Sequence, residues 1–163
     1  IDVLEDGATF EENALKKARE VLAATDADAV LSDDSGLEVD ALGGAPGVYS
    51  ARYAGNGHDD EANNAKLIEA MKDVPDGARG CRFVCAAALA RRGSAAIVRR
   101  GTVEGTLLRE KRGESGFGYD PLFFYAPAGL SFAQMSAQAK NEISHRKRAL
   151  CALEEALGRE DAK

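Results

Sequence analysis

The chain has 163 residues, a formal net charge of −6, 45% hydrophobic and 29% charged residues. That length suits one domain with a core of its own, and the acidic balance excludes general electrostatic binding to nucleic acid. No apolar run reaches the length of a membrane span and no secretory leader is visible, while three cysteines without a Cys-x-x-Cys spacing argue for a reducing, cytoplasmic setting with Cys81, Cys85 and Cys151 as buried small hydrophobes.

In chain order, Thr9-Phe10-Glu11-Glu12 reads as a capping box, with Thr9 accepting from the Glu12 N–H and Glu12 reaching back to Thr9. The helix it opens carries Phe10, Ala14, Ala18, Val21 and Leu22 on one stripe and runs to about Ala24. Ala29-Val30-Leu31 predicts a short buried strand over about Ala29–Ser32, followed by a turn at Asp33-Asp34-Ser35-Gly36. Leu42 to Tyr53 is too rich in glycine for a regular element and reads as an ordered loop. Asp59-Asp60-Glu61 starts a second helix whose core face is Leu67, Ile68 and Met71. Strands are expected over about Arg82–Ala90 and Ala95–Val103, joined as a hairpin at Arg91-Arg92-Gly93-Ser94, with a further short strand at Thr106–Arg109. A glycine-rich loop, Gly113–Gly118, precedes a strand at Pro121–Tyr125. One last helix spans about Asn141–Leu157, with Ile143, Leu150, Leu153 and Leu157 inward, and the charged tail from Gly158 frays. The order fits one compact α/β domain over 1–163.

Several polar groups stand out. Two adjacent carboxylates at a strand end repel each other unless a hard cation such as Mg²⁺ shares them; an Asx turn capping the strand explains the same residues equally well. Glu5 taken alone is a surface residue. Lys16 makes an ordinary surface pair with Glu12, but Lys17 lies about 100° further round the helix, beside the apolar stripe, where its ammonium suits a phosphate. In Gly116-Phe117-Gly118-Tyr119-Asp120-Pro121, glycines flank an aromatic that can lie against a planar ligand; a plain turn with both rings in the core is the competing reading. Lys140 and Ser144-His145-Arg146 gather donors at the start of the last helix, or form a solvated basic patch.

Together the segments name a family. Glu5-Asp6-Gly7-Ala8-Thr9-Phe10-Glu11-Glu12-Asn13-Ala14, Ser32–Leu37, Gly43–Arg52, Gly116–Pro121 and Ser144-His145-Arg146 closely resemble the inosine triphosphate pyrophosphatase family, in its order and spacing, from Glu5 to about Leu157. The resemblance implies an α/β fold with an elongated mixed sheet, flanking helices and two lobes around a nucleotide-binding cleft. It implies Mg²⁺-dependent hydrolysis of (d)ITP and XTP to the monophosphate and pyrophosphate by a cytoplasmic homodimer. Carried onto matching positions, Asp34 engages metal and activates water, Glu5 and Asp33 are the further metal-associated carboxylates, and Lys17 reaches the triphosphate. Ser35 touches substrate, Phe117, Gly118, Tyr119 and Asp120 form the base-binding loop, and Lys140, His145 and Arg146 complete the base pocket. The family also opens with a strand and a Thr/Ser-x-Asn-x-x-Lys turn that nothing here matches. A chain truncated at that end is therefore expected, with weak activity, and a catalytically poor nucleotide-binding or dimerising remnant is the alternative. A house-cleaning pyrophosphatase of different base preference is the third reading, against which Gly116–Pro121 and Ser144–Arg146 argue.

Overall fold

A computed structural model describes residues 2–161. Helix α1 (Phe10–Ala24) begins at Thr9, whose hydroxyl accepts from Glu12 N at 3.1 Å. The return half of the box differs from expectation. Glu12 Oε2 accepts from Ala8 N at 2.7 Å, one residue ahead of the cap. Phe10, Ala14 and Ala18 are buried as the stripe predicts, and Asn13 is buried beside them.

Strand β1 runs Ala29–Val39, so the acidic segment lies inside the strand and not in a turn after it. Ala29 and Leu31 are exposed, whereas Gly36, Leu37 and Val39 are buried. The reason is position. β1 stands at the edge of a five-stranded sheet of order β1-β2-β3-β4-β5, and pairing within the sheet overrides the weak strand preference of Asp, Ser and Gly. After three-residue and six-residue 3₁₀ turns at Asp40–Leu42 and Gly47–Arg52, helix α2 (Asp60–Ala70) is capped by Asp59. β2 (Gly80–Arg91) and β3 (Ser94–Leu107) form the expected hairpin, and β3 absorbs the start of the separate strand expected at Thr106. β4 (Phe123–Tyr125) pairs antiparallel with β3 and with β5 (Leu130–Ser131), a two-residue strand with no sequence signal.

The last helix is two helices, α3 (Ala137–Ile143) and α4 (His145–Asp161). Ser144 interrupts them because its hydroxyl accepts from Lys147 N at 3.1 Å, an N-cap that starts a new helix. Lys140 therefore sits on α3 while His145 and Arg146 open α4. α4 continues through Gly158 to Asp161 where fraying was expected, and Cys151 is exposed on it while Cys81 and Cys85 are buried. No helix among the described residues is long and apolar enough to cross a membrane.

The chain divides into two compact units, and β1, β2 and β3 each contribute residues to both. The first holds the residues up to Ser35, Val84–Thr102 and those from Ser144 on. Its core joins Cys85, Ala87 and Ile97 to Ala149, Leu153 and Ala156 of α4. Gly101 permits that packing, since a Cβ there would lie 2.2 Å from Ala149 N. The second unit holds Gly36–Phe83 and Val103–Ile143. Its core centres on Phe83, Phe123 and Phe132, with ring centroids 4.5 to 5.5 Å apart, backed by Leu37, Leu67 and Met71.

One cation organises the second unit. Arg79 is 3% exposed and donates to Met71 O (2.7 Å), Val74 O (3.1 Å), Leu107 O (2.8 Å) and Leu108 O (3.3 Å). It thus caps the carboxyl end of α2, where the helix dipole favours a cation, and ties that end to β3. Replacing Arg79 with Met leaves these acceptors buried without donors, and should lower the unfolding free energy by about 3 kcal/mol or more. Urea unfolding reads the change as a lower midpoint at constant slope; a loss under about 1 kcal/mol would show that the guanidinium does not carry this junction.

Candidate active site

Successive side chains of a strand point to opposite faces, so β1 separates its two neighbouring carboxylates. Asp34 meets α1, where Asn13 Nδ2 donates to Asp34 Oδ2 at 3.3 Å. Asn13 is itself oriented by Gly7 N, which donates to its Oδ1 at 2.7 Å. Lys17, one turn further along α1, pairs with Glu5 Oε1 at 2.5 Å and donates to the Asp33 backbone carbonyl at 2.9 Å. Burial, and next the negative charge of Glu5, push the Asp34 carboxyl up to about 6, against the Asn13 hydrogen bond, the Lys17 charge and the Ser35 backbone.

Asp33 keeps different company. Its Oδ2 pairs with Arg146 Nε of α4 at 3.0 Å, and Ser35, two residues on, hydrogen-bonds the Cys85 thiol. Burial pushes that thiol up, the Ser35 hydrogen bond opposing it. The structure thus brings Glu5, Lys17 and Asp34 together and leaves the Asp33 side chain with Arg146. His145 opens α4 beside Arg146. Among the described residues no group of three His, Cys, Asp or Glu side chains is poised to hold a metal ion. Asp34 and Glu5 are two carboxylates close enough for one to raise the other's pKa. That donor set fits a hard cation such as Mg²⁺, which takes one or two carboxylates and fills its shell with water and phosphate oxygens.

In the second unit, Phe117 is 76% exposed between Gly116 (φ 78°) and Gly118 (φ 60°). Gly116 is required, since a Cβ would stand 2.3 Å from the Asp120 carboxylate. Asp120 is 4% exposed; it pairs closely with Lys140 and accepts from Phe117 N at 3.1 Å. The Lys140 ammonium lies 4.8 Å from the Phe117 ring centre and 5.9 Å from that of Phe132. Tyr119 points the other way. It is buried, donates its hydroxyl to Ser50 O at 2.6 Å, and its phenol pKa is raised by desolvation. Of the loop residues, Phe117 alone presents a ring to solvent; Tyr119 and Asp120 hold the loop from beneath.

Reading the sequence missed Asn13, Asp60, Asn64 and Cys85 as parts of these two clusters. Asn13 and Asn64 carried a usable signal, each being an amide placed next to apolar residues on a helix. Asp60 looked like a helix-start acid and Cys85 like core, and neither had one.

The Ham1 family profile matches residues 1–156. The chain is 54% identical over 153 residues to the dITP/XTP pyrophosphatase of Syntrophobacter fumaroxidans, covering 94% of this chain and 65% of that protein. It is 53% identical over 156 residues to the dITP/XTP pyrophosphatase of Pseudomonas aeruginosa, covering 94% and 78%. Among solved structures, the Staphylococcus aureus Ham1 protein superposes with a TM-score of 0.92 at 43% identity, over 98% of this chain and 82% of that one. The Mycobacterium abscessus nucleoside-triphosphatase / dITP/XTP pyrophosphatase does so with a TM-score of 0.82 at 45% identity, over 94% and 78%.

The raised carboxyl makes a stability prediction of definite sign. Below about pH 4, Asp34 is protonated folded or unfolded and costs nothing; between about 4 and 6 the unfolded chain ionises first, so stability falls with rising pH and stays lower above 6. In EDTA at pH 7, Asp34→Asn should therefore raise stability by on the order of 1–3 kcal/mol, a gain that vanishes below about pH 4. Chemical denaturation at pH 3.5 and pH 7 measures it, and equal stabilities at pH 7 would contradict the burial assigned to Asp34.

Proposed function

The chain belongs to the Ham1 family, and from that membership we propose that it hydrolyses (d)ITP and XTP to the nucleoside monophosphate and pyrophosphate. The names of the relatives support this reading, and the observation that carries it is the Asp34 carboxyl, half-buried against Asn13 in the company of Glu5 and Lys17. In the metal-free protein the carboxyl is lifted to about 6 and is still ionised at pH 7, an oxygen acceptor crowded by burial and by Glu5 and so ready to take up a cation or a proton. Asp34 accepts the proton of the attacking water. Lys17 offers its ammonium to phosphate oxygens, and Glu5 with Asp34 would hold Mg²⁺. That ion, when bound, supplies neutralising charge for the phosphates and the departing pyrophosphate.

Selection of the base falls to Phe117 and to donors. The exposed ring suits stacking of a purine, worth about 1–3 kcal/mol. In the second unit Lys140 carries three N–H donors and engages Asp120; the resemblance assigns it, and separately His145 and Arg146 of the first unit, the task of offering donors to a 6-oxo group. The 6-amino group of adenine would set donor against donor, a mismatch that discriminates strongly. Ser35 is exposed on the Asp33 face of β1, and the resemblance assigns it a contact with substrate. The resemblance further implies a homodimer in the cytoplasm that cleanses the nucleotide pool, and the free cysteines suit that compartment.

Pyrophosphate release tests the reading, with dITP, XTP, dUTP and dATP compared at equal concentration. Turnover of dITP and XTP should exceed that of dATP, require Mg²⁺ and stop in EDTA. Asp34→Asn should lower kcat by about 10²-fold or more in a folded protein. Phe117→Ala should chiefly raise KM. Equal turnover of dATP, or near-normal kcat in Asp34→Asn, would sink the assignment.

A further inference from the structure

The peptide group on each side of Gly118 is gripped by a single helix. Asp60 and Asn64 stand four residues apart on α2, one above the other on the same face. Asp60 Oδ2 accepts from Gly118 N at 2.9 Å, and Asn64 Nδ2 donates to Gly118 O at 3.0 Å. The same amide nitrogen donates to Asp60 O at 2.8 Å. Two carbonyls on one side fix the amide's orientation, since the reverse flip would set oxygen against oxygen. Asn64 is 3% exposed, and asparagine is a poor interior helix residue, so its place on α2 follows from what its amide holds.

This grip completes a frame around Phe117. The Phe117 N–H donates to Asp120 Oδ2, and the peptide that follows Phe117 is fixed through Gly118 N by Asp60. The ring is 76% exposed, yet its backbone is anchored on both sides. A platform held this way meets a planar ligand without paying the ordering entropy at the moment of binding. A second consequence concerns hydrogen bonding. The Gly118 N–H is already engaged by a carboxylate, so the base must find its donors elsewhere.

We infer that Asp60 and Asn64 are positioning residues for base recognition, setting the angle and height at which Phe117 meets the purine. The inference rests on the purine nucleotide reading above and adds to it two residues of α2 that touch no substrate. Glu61, next to Asp60, has its own partner in Lys111 and takes no part.

The chain contains no tryptophan, so Phe117→Trp installs a single fluorophore at the platform. Titration with IMP should quench it. In that background, and with natural Phe117 for kinetics, Asp60→Ala and Asn64→Ala should both weaken IMP binding and raise KM for dITP: about tenfold for Asp60→Ala, which loses a charge-assisted hydrogen bond, and about fivefold for Asn64→Ala, which loses a neutral one. kcat should stay within about threefold, and inhibition by pyrophosphate should be unchanged, because neither quantity depends on the base platform. Asp60→Asn keeps an acceptor oxygen and should recover most of the affinity. The dITP-to-dATP preference should narrow in the alanine variants. IMP affinity unchanged in folded variants would overturn the clamp while leaving the purine reading intact. So would a fall in kcat, pyrophosphate binding and melting temperature together, which marks a merely structural role. Failure of IMP to bind the wild-type protein while pyrophosphate binds would overturn the purine reading, and the clamp with it.

Discussion

A strand sends neighbouring side chains to opposite faces, and the chemistry of the first unit follows from that constraint. Had Asp33 and Asp34 lain in a turn, both carboxylates could have met one cation. In β1 they cannot. Asp34 is delivered to Asn13, Lys17 and Glu5 on the α1 side, and Asp33 to Arg146 of α4. Lys17 is tied to the strand through the Asp33 carbonyl rather than its carboxylate. The ammonium is thus held near Asp34 without neutralising it by direct contact, and the carboxyl keeps a raised proton affinity.

The second unit solves a different problem, holding an exposed aromatic still. Its loop backbone is fastened by Asp60 and Asn64 of α2 and by Asp120 at the loop's own end, and Lys140 of α3 holds Asp120 in turn. The glycines make this feasible, with Gly116 clearing the Asp120 carboxylate. Arg79 stands behind the arrangement. By capping α2 and tying it to β3, it fixes the helix that fastens the loop.

Local chemistry was legible in the sequence wherever a few consecutive residues decide the outcome. The Thr9 cap, the extent of α1, the Asp59 start of α2 and the hairpin at Arg92-Gly93 depend on neighbours in sequence, and they stand where expected. The family motifs were legible for the same reason, being short and ordered. What escaped was set by partners far along the chain. β1 carries polar residues that no strand pattern favours and is an element because the sheet pairs it. Ser144 reads as one polar residue in a helical run until its hydroxyl caps α4. The opposite facing of Asp33 and Asp34 could not be read before the strand was known, since it follows from extended backbone and not from the residues' identity. Asp60 looked like an ordinary helix-start acid, and what Asn64 holds could not be named, because Gly118 lies 58 and 54 residues away.

A common logic runs through the charges in both units. The chain is acidic overall, yet on the proposed reading it must receive a polyanion. Each cation assigned to the nucleotide already faces a carboxylate: Lys17, meant for the phosphates, with Glu5, and Arg146 and Lys140, meant for the base, with Asp33 and Asp120. These pairs differ in kind. Arg146 is well exposed, and its pairing is worth little in water, so exchanging Asp33 for another anion is nearly neutral in free energy. Asp120 is buried and Lys140 mostly so, and breaking the pair would strand a buried carboxylate, so it stays intact and acts as a fixed bracket beneath Phe117. Lys17 is intermediate, about one-third exposed, and bound to one carboxylate and one carbonyl. It can turn to a phosphate while keeping the carbonyl, so it changes partner without leaving its place. The gradient of burial from Lys140 through Lys17 to Arg146 therefore sorts three similar ion pairs into a support, a responsive contact and a loose surface contact.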